Sequence, residues 1–161
     1  MRRLVTVLAA IGLLLSLSGI THGSEPAPAS GTFTVSSIAS FAIRPVGPNF
    51  LIEQTTEGVV SGTLTGTFED SVKVVVNPTA NKVVQSFGSG TCVCTVAGSS
   101  GTLEYVLSSR GAFDAQSFEG RMVITGGTGD LSGLRGVLEL EGTVDLNGLA
   151  TIDYVGQIHD H

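Results

Sequence analysis

The chain has 161 residues, fourteen acidic against eight basic side chains, three histidines, two cysteines and no tryptophan. A formal charge of −6, with the acids scattered, disfavours non-specific attachment to nucleic acid or anionic lipid. The length suits one domain with a modest core, and glycine is abundant at 22 residues.

The chain opens on Met1-Arg2-Arg3, followed by an apolar run from Leu4 to Leu17 and a small-residue stretch from Ser18 to Gly23. That order predicts a secretory signal peptide over 1–23 and a secreted or periplasmic address. The run is shorter than the roughly 18–20 residues that span a bilayer, so stable membrane insertion after cleavage is not expected. An uncleaved anchor, and a cut nearer Ala29, remain open. Loss of Arg2 and Arg3 leaves six basic side chains against fourteen acidic ones. Residues 24–30, with two prolines and no large apolar side chain, read as a flexible leader. The domain proper is expected over 31–158, with a tail at 159–161.

From Thr32 onward the dominant period is two. Strands are predicted near 31–38, 49–57, 58–69, 71–76, 82–97, 101–110, 116–126, 135–146 and 149–158. Asn147-Gly148 predicts a tight type I′ hairpin between the last two. Val60, Gly62, Leu64, Gly66 and Phe68 share one phase against Ser61, Thr63, Thr65 and Thr67. The same alternation sets Phe118, Gly120, Met122 and Ile124 against Glu119 and Arg121, and Ile152, Tyr154, Gly156 and Ile158 against Thr151, Asp153 and Gln157. Glycine ordinarily weakens a strand. Its repeated place on the apolar phase predicts a tapering interior and strands bent enough to close. The fold class is therefore all-β, a single closed antiparallel barrel of about eight strands, with a two-sheet sandwich as the alternative.

The body of the domain has no histidine, since only His159 and His161 follow His22. Ser-His-Asp and Cys-His mechanisms and a multi-histidine zinc site are thereby unsupported, and no metal or cofactor is expected. Gly126–Gly129 lacks the Lys-Ser/Thr of a phosphate loop. Cys92 and Cys94 share a strand face, at the limit of disulfide reach in a fully extended strand. A local disulfide, two buried thiols and a redox or soft-metal site all remain open. Acid–base chemistry falls to carboxylates. Glu53 and Glu104 are weak catalytic candidates, Glu104 together with Tyr105 and with Arg110 at the strand end. Glu139 and Glu141 lie on the polar phase. Tyr105 and Tyr154 lie on the apolar phase, which otherwise reads as free of ionisable groups.

One segment is distinctive: Ile124-Thr125-Gly126-Gly127-Thr128-Gly129-Asp130-Leu131-Ser132-Gly133-Leu134-Arg135-Gly136. Together with the strand-opening Gly31-Thr32-Phe33, it resembles the allene oxide cyclase-like and dirigent-like barrel superfamily, most of all its uncharacterised bacterial secreted domains. The sharp part of the resemblance covers about residues 101–145. It implies an eight-stranded barrel and the possibility of a homo-oligomer, and it transfers no active site. The expected function is a binding module for a small, mostly apolar ligand lined by Phe33, Leu64, Phe68, Tyr105, Met122 and Tyr154. An isomerase- or cyclase-like enzyme and a structural or interaction barrel with a filled core are the alternatives.

Overall fold

A computed structural model describes residues 25–79, 83–112 and 115–160. The expected signal peptide, 1–23, and His161 lie outside the described residues. The strands are β1 (Ala27–Val46), β2 (Asn49–Gly62), β3 (Leu64–Val76), β4 (Val83–Val96), β5 (Ser99–Ala112), β6 (Ser117–Gly127), β7 (Leu134–Val144) and β8 (Ala150–Asp160). Each pairs antiparallel with the next, and β1 pairs with β8, so the sheet closes into a barrel in simple chain order. A short 3-10 turn, Gly129–Leu131, fills the β6–β7 connection and buries Leu131.

Several predicted strand limits differ from the observed ones. The runs read as 49–57 and 58–69 are divided at Gly62-Thr63, where Gly62 takes φ +105°. The alternation runs through this turn unbroken, so periodicity carries no sign of it. The break expected at residue 70 does not exist, and β3 continues through Asp70. β1 starts at Ala27, inside the stretch read as a leader, because pairing with β8 from Ala27↔Ile158 onward buries Ala29. It also runs eight residues past Ile38, since two bulges, between Val35 and Ser37 and between Ile38 and Ser40, let the chain through 36–42 keep pairing with β2. At Asn147-Gly148 a hairpin forms, but with only Gly148 at positive φ (+82°). Asp145 Oδ1 accepts the Asn147 and Leu149 N–H groups at 2.8 and 2.9 Å. Its carboxylate thus holds a longer turn than the type I′ expected.

The barrel is not closed along its whole height. β1 meets β8 only over Ala27–Thr34 against Thr151–Ile158. Beyond Thr34, β1 pairs with β2 alone. The closed half holds one apolar core, including Phe33, Leu64, Phe68, Leu103, Met122, Ile124, Leu138 and Tyr154. Inward glycines make room for large neighbours. A Cβ on Gly58 would lie 2.7 Å from the Phe68 ring, and one on Gly142 2.4 Å from the Phe118 ring. Leu138 is fully buried, at 0% exposure. Leu138→Ala is expected to cost about 3 kcal/mol, the scale of a core leucine truncated into a partly relaxed cavity, measured by urea unfolding.

Candidate functional site

In the middle of the barrel, Thr56 on β2, Asp70 on β3, Gly90 on β4 and Tyr105 on β5 are consecutive cross-strand partners facing inward. The inward phase of β3, Leu64, Gly66 and Phe68, leads directly to Asp70, which is 7% exposed. The expectation that the apolar phase holds no ionisable residue is therefore corrected. The Tyr105 hydroxyl donates to Asp70 Oδ1. Gly90 makes the pair possible: a Cβ there would lie 1.9 Å from Asp70 Oδ1 and 2.7 Å from the Tyr105 hydroxyl. Burial pushes the Asp70 carboxyl up to about 6, against the opposing pull of the Tyr105 hydrogen bond. Burial first, and then the Asp70 charge, also raise the Tyr105 hydroxyl. None of the three ion pairs among the described residues involves Asp70.

This pair stands at a boundary. On one side is the closed core, where the Phe33 ring packs 5.3 Å from those of Phe68 and Tyr154 and 6.4 Å from that of Tyr105. On the other side the inward phase is less buried and mixes apolar with polar side chains, among them Gln54 on β2 and the hydrogen-bonded Ser86–Ser109 pair of β4 and β5. Ile52 on β2, Val72 and Val74 on β3, Leu107 on β5, Phe118 on β6 and Ile152 on β8 continue it toward the β1–β2, β3–β4, β5–β6 and β7–β8 connections. Gly88, Gly111 and Gly120 lie on the same face and thin its wall. Phe41 and Ile43, 58% and 56% exposed, oppose Gln54 and Ile52 where β1 has left β8. This less buried end of the inner face is the vestibule, and the Asp70–Tyr105 pair marks its inner limit.

The structure brings all six expected lining residues, Phe33, Leu64, Phe68, Tyr105, Met122 and Tyr154, into the closed core, where they pack as its filling. Both tyrosine hydroxyls have internal partners. Tyr154 accepts the Leu64 N–H at 2.9 Å and donates to the Ser61 carbonyl at 3.3 Å. Glu53 and Glu104 lie on the outer face. Glu53 is paired with Lys73 at 3.1 Å and Arg44 at 3.7 Å, and the Lys73 hydrogen bond holds its carboxyl below the usual carboxylate range. Glu104 and Arg110 are exposed on the outside of β5 while Tyr105 points inward, so the three do not converge. Glu139 and Glu141 are also outside, Glu139 4.0 Å from Arg121. Cys92 and Cys94 are buried side by side with Cα atoms 5.4 Å apart, a separation a disulfide spans.

Two grooves, of about 270 and 680 Å³, combine both phases: the first sets Glu53, Ser71 and Lys73 beside the inward Gln54 and Val72, and the second sets Arg110, Glu119, Glu141 and Asp153 beside the inward Phe118 and Gly142. Among the described residues no group of three or more His, Cys, Asp or Glu side chains is arranged to hold a metal ion.

Sequence reasoning missed Asp70 because it cut the strand at residue 70. Its signal is the unbroken inward series Phe68, Asp70, Val72.

No family model and no curated protein matches the chain. Among solved structures it is similar to the crystal structure of a protein of unknown function from the DUF3224 family of Shewanella oneidensis. The TM-score is 0.59 at 15% identity, covering 82% of this chain and 96% of that one. At that identity the likeness is one of fold.

Proposed function

We propose that this protein is an exported binding module whose barrel receives a small, mostly apolar molecule at its flared end. The observation that carries the reading is the partly buried, mainly apolar inner face beyond the closed core, where Val72, Leu107, Phe118 and Ile152 stand with Gln54 and the Ser86–Ser109 pair. A mainly apolar lining with a few placed polar groups, here the Asp70–Tyr105 and Ser86–Ser109 pairs, is the usual composition of a small-molecule site. The N-terminal Arg-Arg and apolar run support export, and export favours an oxidised Cys92–Cys94 pair. The Gly-Thr-Gly-Asp-Leu-Ser-Gly-Leu-Arg-Gly segment supports a place near the allene oxide cyclase-like barrels.

An isomerase- or cyclase-like activity is the second reading. It is favoured by the buried carboxyl of Asp70, whose affinity for a proton suits general acid–base work near neutral pH. Native mass spectrometry of the protein purified from its exported form without reductant tests the first reading. A retained small molecule, on a chain two hydrogens lighter than the dithiol, is expected. A bare protein that also acquires no mass from a library of small apolar compounds would overturn the binding reading in favour of a structural barrel.

A further inference from the structure

We propose that Asp70, positioned by Tyr105 in the notch left by Gly90, is the polar anchor of the vestibule, and that the ligand it selects is a small apolar molecule carrying a protonated amine. This rests on the binding function proposed above and names its ligand class. A buried carboxylate is costly unless a cation or several donors satisfy it. Here one hydroxyl, that of Tyr105, donates to Oδ1. Across β2 and β4 the partners of Asp70 are Thr56 and Gly90, which bring no charge.

The surroundings are shaped for this carboxyl. Any side chain at position 90 would collide with Asp70 Oδ1. The next inward position of β4 is again a glycine, Gly88, flanked by Val72 and Leu107. A chain lying on these two side chains would bring its head group to the level of Asp70. An ammonium group supplies both the missing charge and up to three hydrogen-bond donors. A carboxylate head group would be repelled, and a hydroxyl would supply a donor without charge.

The test is calorimetric titration of the mature protein at pH 7.5 with octylamine, 1-octanol and octanoate. Octylamine is expected to bind about tenfold more tightly than 1-octanol, the scale of one charge-assisted hydrogen bond, with octanoate weakest. Asp70→Asn is expected to erase the amine preference, so that octylamine binds the variant no more tightly than 1-octanol does. Tyr105→Phe, which keeps the carboxylate, is expected to retain the preference. Should Asp70→Asn fail to fold, the native protein at pH 5 serves in its place, since protonating Asp70 is expected to remove the preference for amine over alcohol. Equal affinity for amine and alcohol, or a preference that survives loss of the carboxylate charge, would overturn the anchor while leaving the vestibule standing. Failure of all three to bind would overturn both.

Discussion

Gly90→Ala is expected to lower stability by about 3 kcal/mol, the upper part of the range for overpacking a filled interior. In a domain of this size that corresponds to a fall of roughly 10 °C in Tm. The added methyl would stand 1.9 Å from Asp70 Oδ1 and 2.7 Å from both the Tyr105 hydroxyl and the Glu69 carbonyl. Two of these obstacles are side chains that meet each other, so the variant must break the Asp70–Tyr105 bond or shift β4. The double variant Gly90→Ala/Asp70→Ala is expected to be less destabilised than the two single losses summed, by about 1 kcal/mol, because both act on one contact. The Glu69 carbonyl keeps recovery incomplete. Urea unfolding of the four proteins in the cycle measures this. A Gly90→Ala protein as stable as the parent would mean that the carboxyl does not occupy the notch.

Asp70→Asn is expected to change the pH dependence of stability most. The carboxyl lies at about 6 in the fold against an ordinary 3.8, so the folded protein holds this proton more tightly than the unfolded chain. Its contribution is fully present below about pH 4 and is lost as the pH rises through about 6. A shift of that size corresponds to roughly 2–3 kcal/mol. The groups facing Asp70 across its neighbouring strands are Thr56, Gly90 and Tyr105. Of these only Tyr105 titrates, and burial and the Asp70 charge raise it further above neutral pH. Asparagine keeps an acceptor for the Tyr105 hydroxyl and carries no charge. The variant is therefore expected to be more stable than the parent at pH 7, with the difference vanishing near pH 4. Glu53 and Asp145, both held below their ordinary range by hydrogen bonds, act in the opposite sense in both proteins and cancel in the comparison. A difference that does not vary between pH 4 and 7 would show that Asp70 is not desolvated.

The closed barrel was legible because its cause is local. Alternation fixes which side chains face inward, and glycine on the inward phase beside large residues, as at Gly58 under Phe68 and Gly142 under Phe118, is how a narrow barrel accommodates them. The limits of strands were less legible where the same alternation crosses a turn, as at Gly62-Thr63. Asp70 was missed for the opposite reason: a polar residue in an inward series resembles a loop signal until pairing with Thr56 and Gly90 shows that it faces the interior. The vestibule could not be read at all. It depends on where β1 parts from β8, which follows from two bulges in a Ser/Ala-rich stretch and from the length of β8, and neither leaves a pattern in apolar spacing. The six residues read as a lining share the inward phase with the vestibule wall. Periodicity separates inside from outside but not a filled height of the barrel from an open one.

Mapping backbone amide shifts in the ¹⁵N-labelled protein during titration with 1-octanol is the most direct measurement of whether the flared end receives an apolar molecule. Saturable shifts are expected at Val72, Gly88, Leu107, Phe118 and Ile152, with Glu119, Glu141 and Asp153 on the outer face unmoved. Shifts confined to that outer face, or none that saturate, would contradict a binding site inside the barrel mouth.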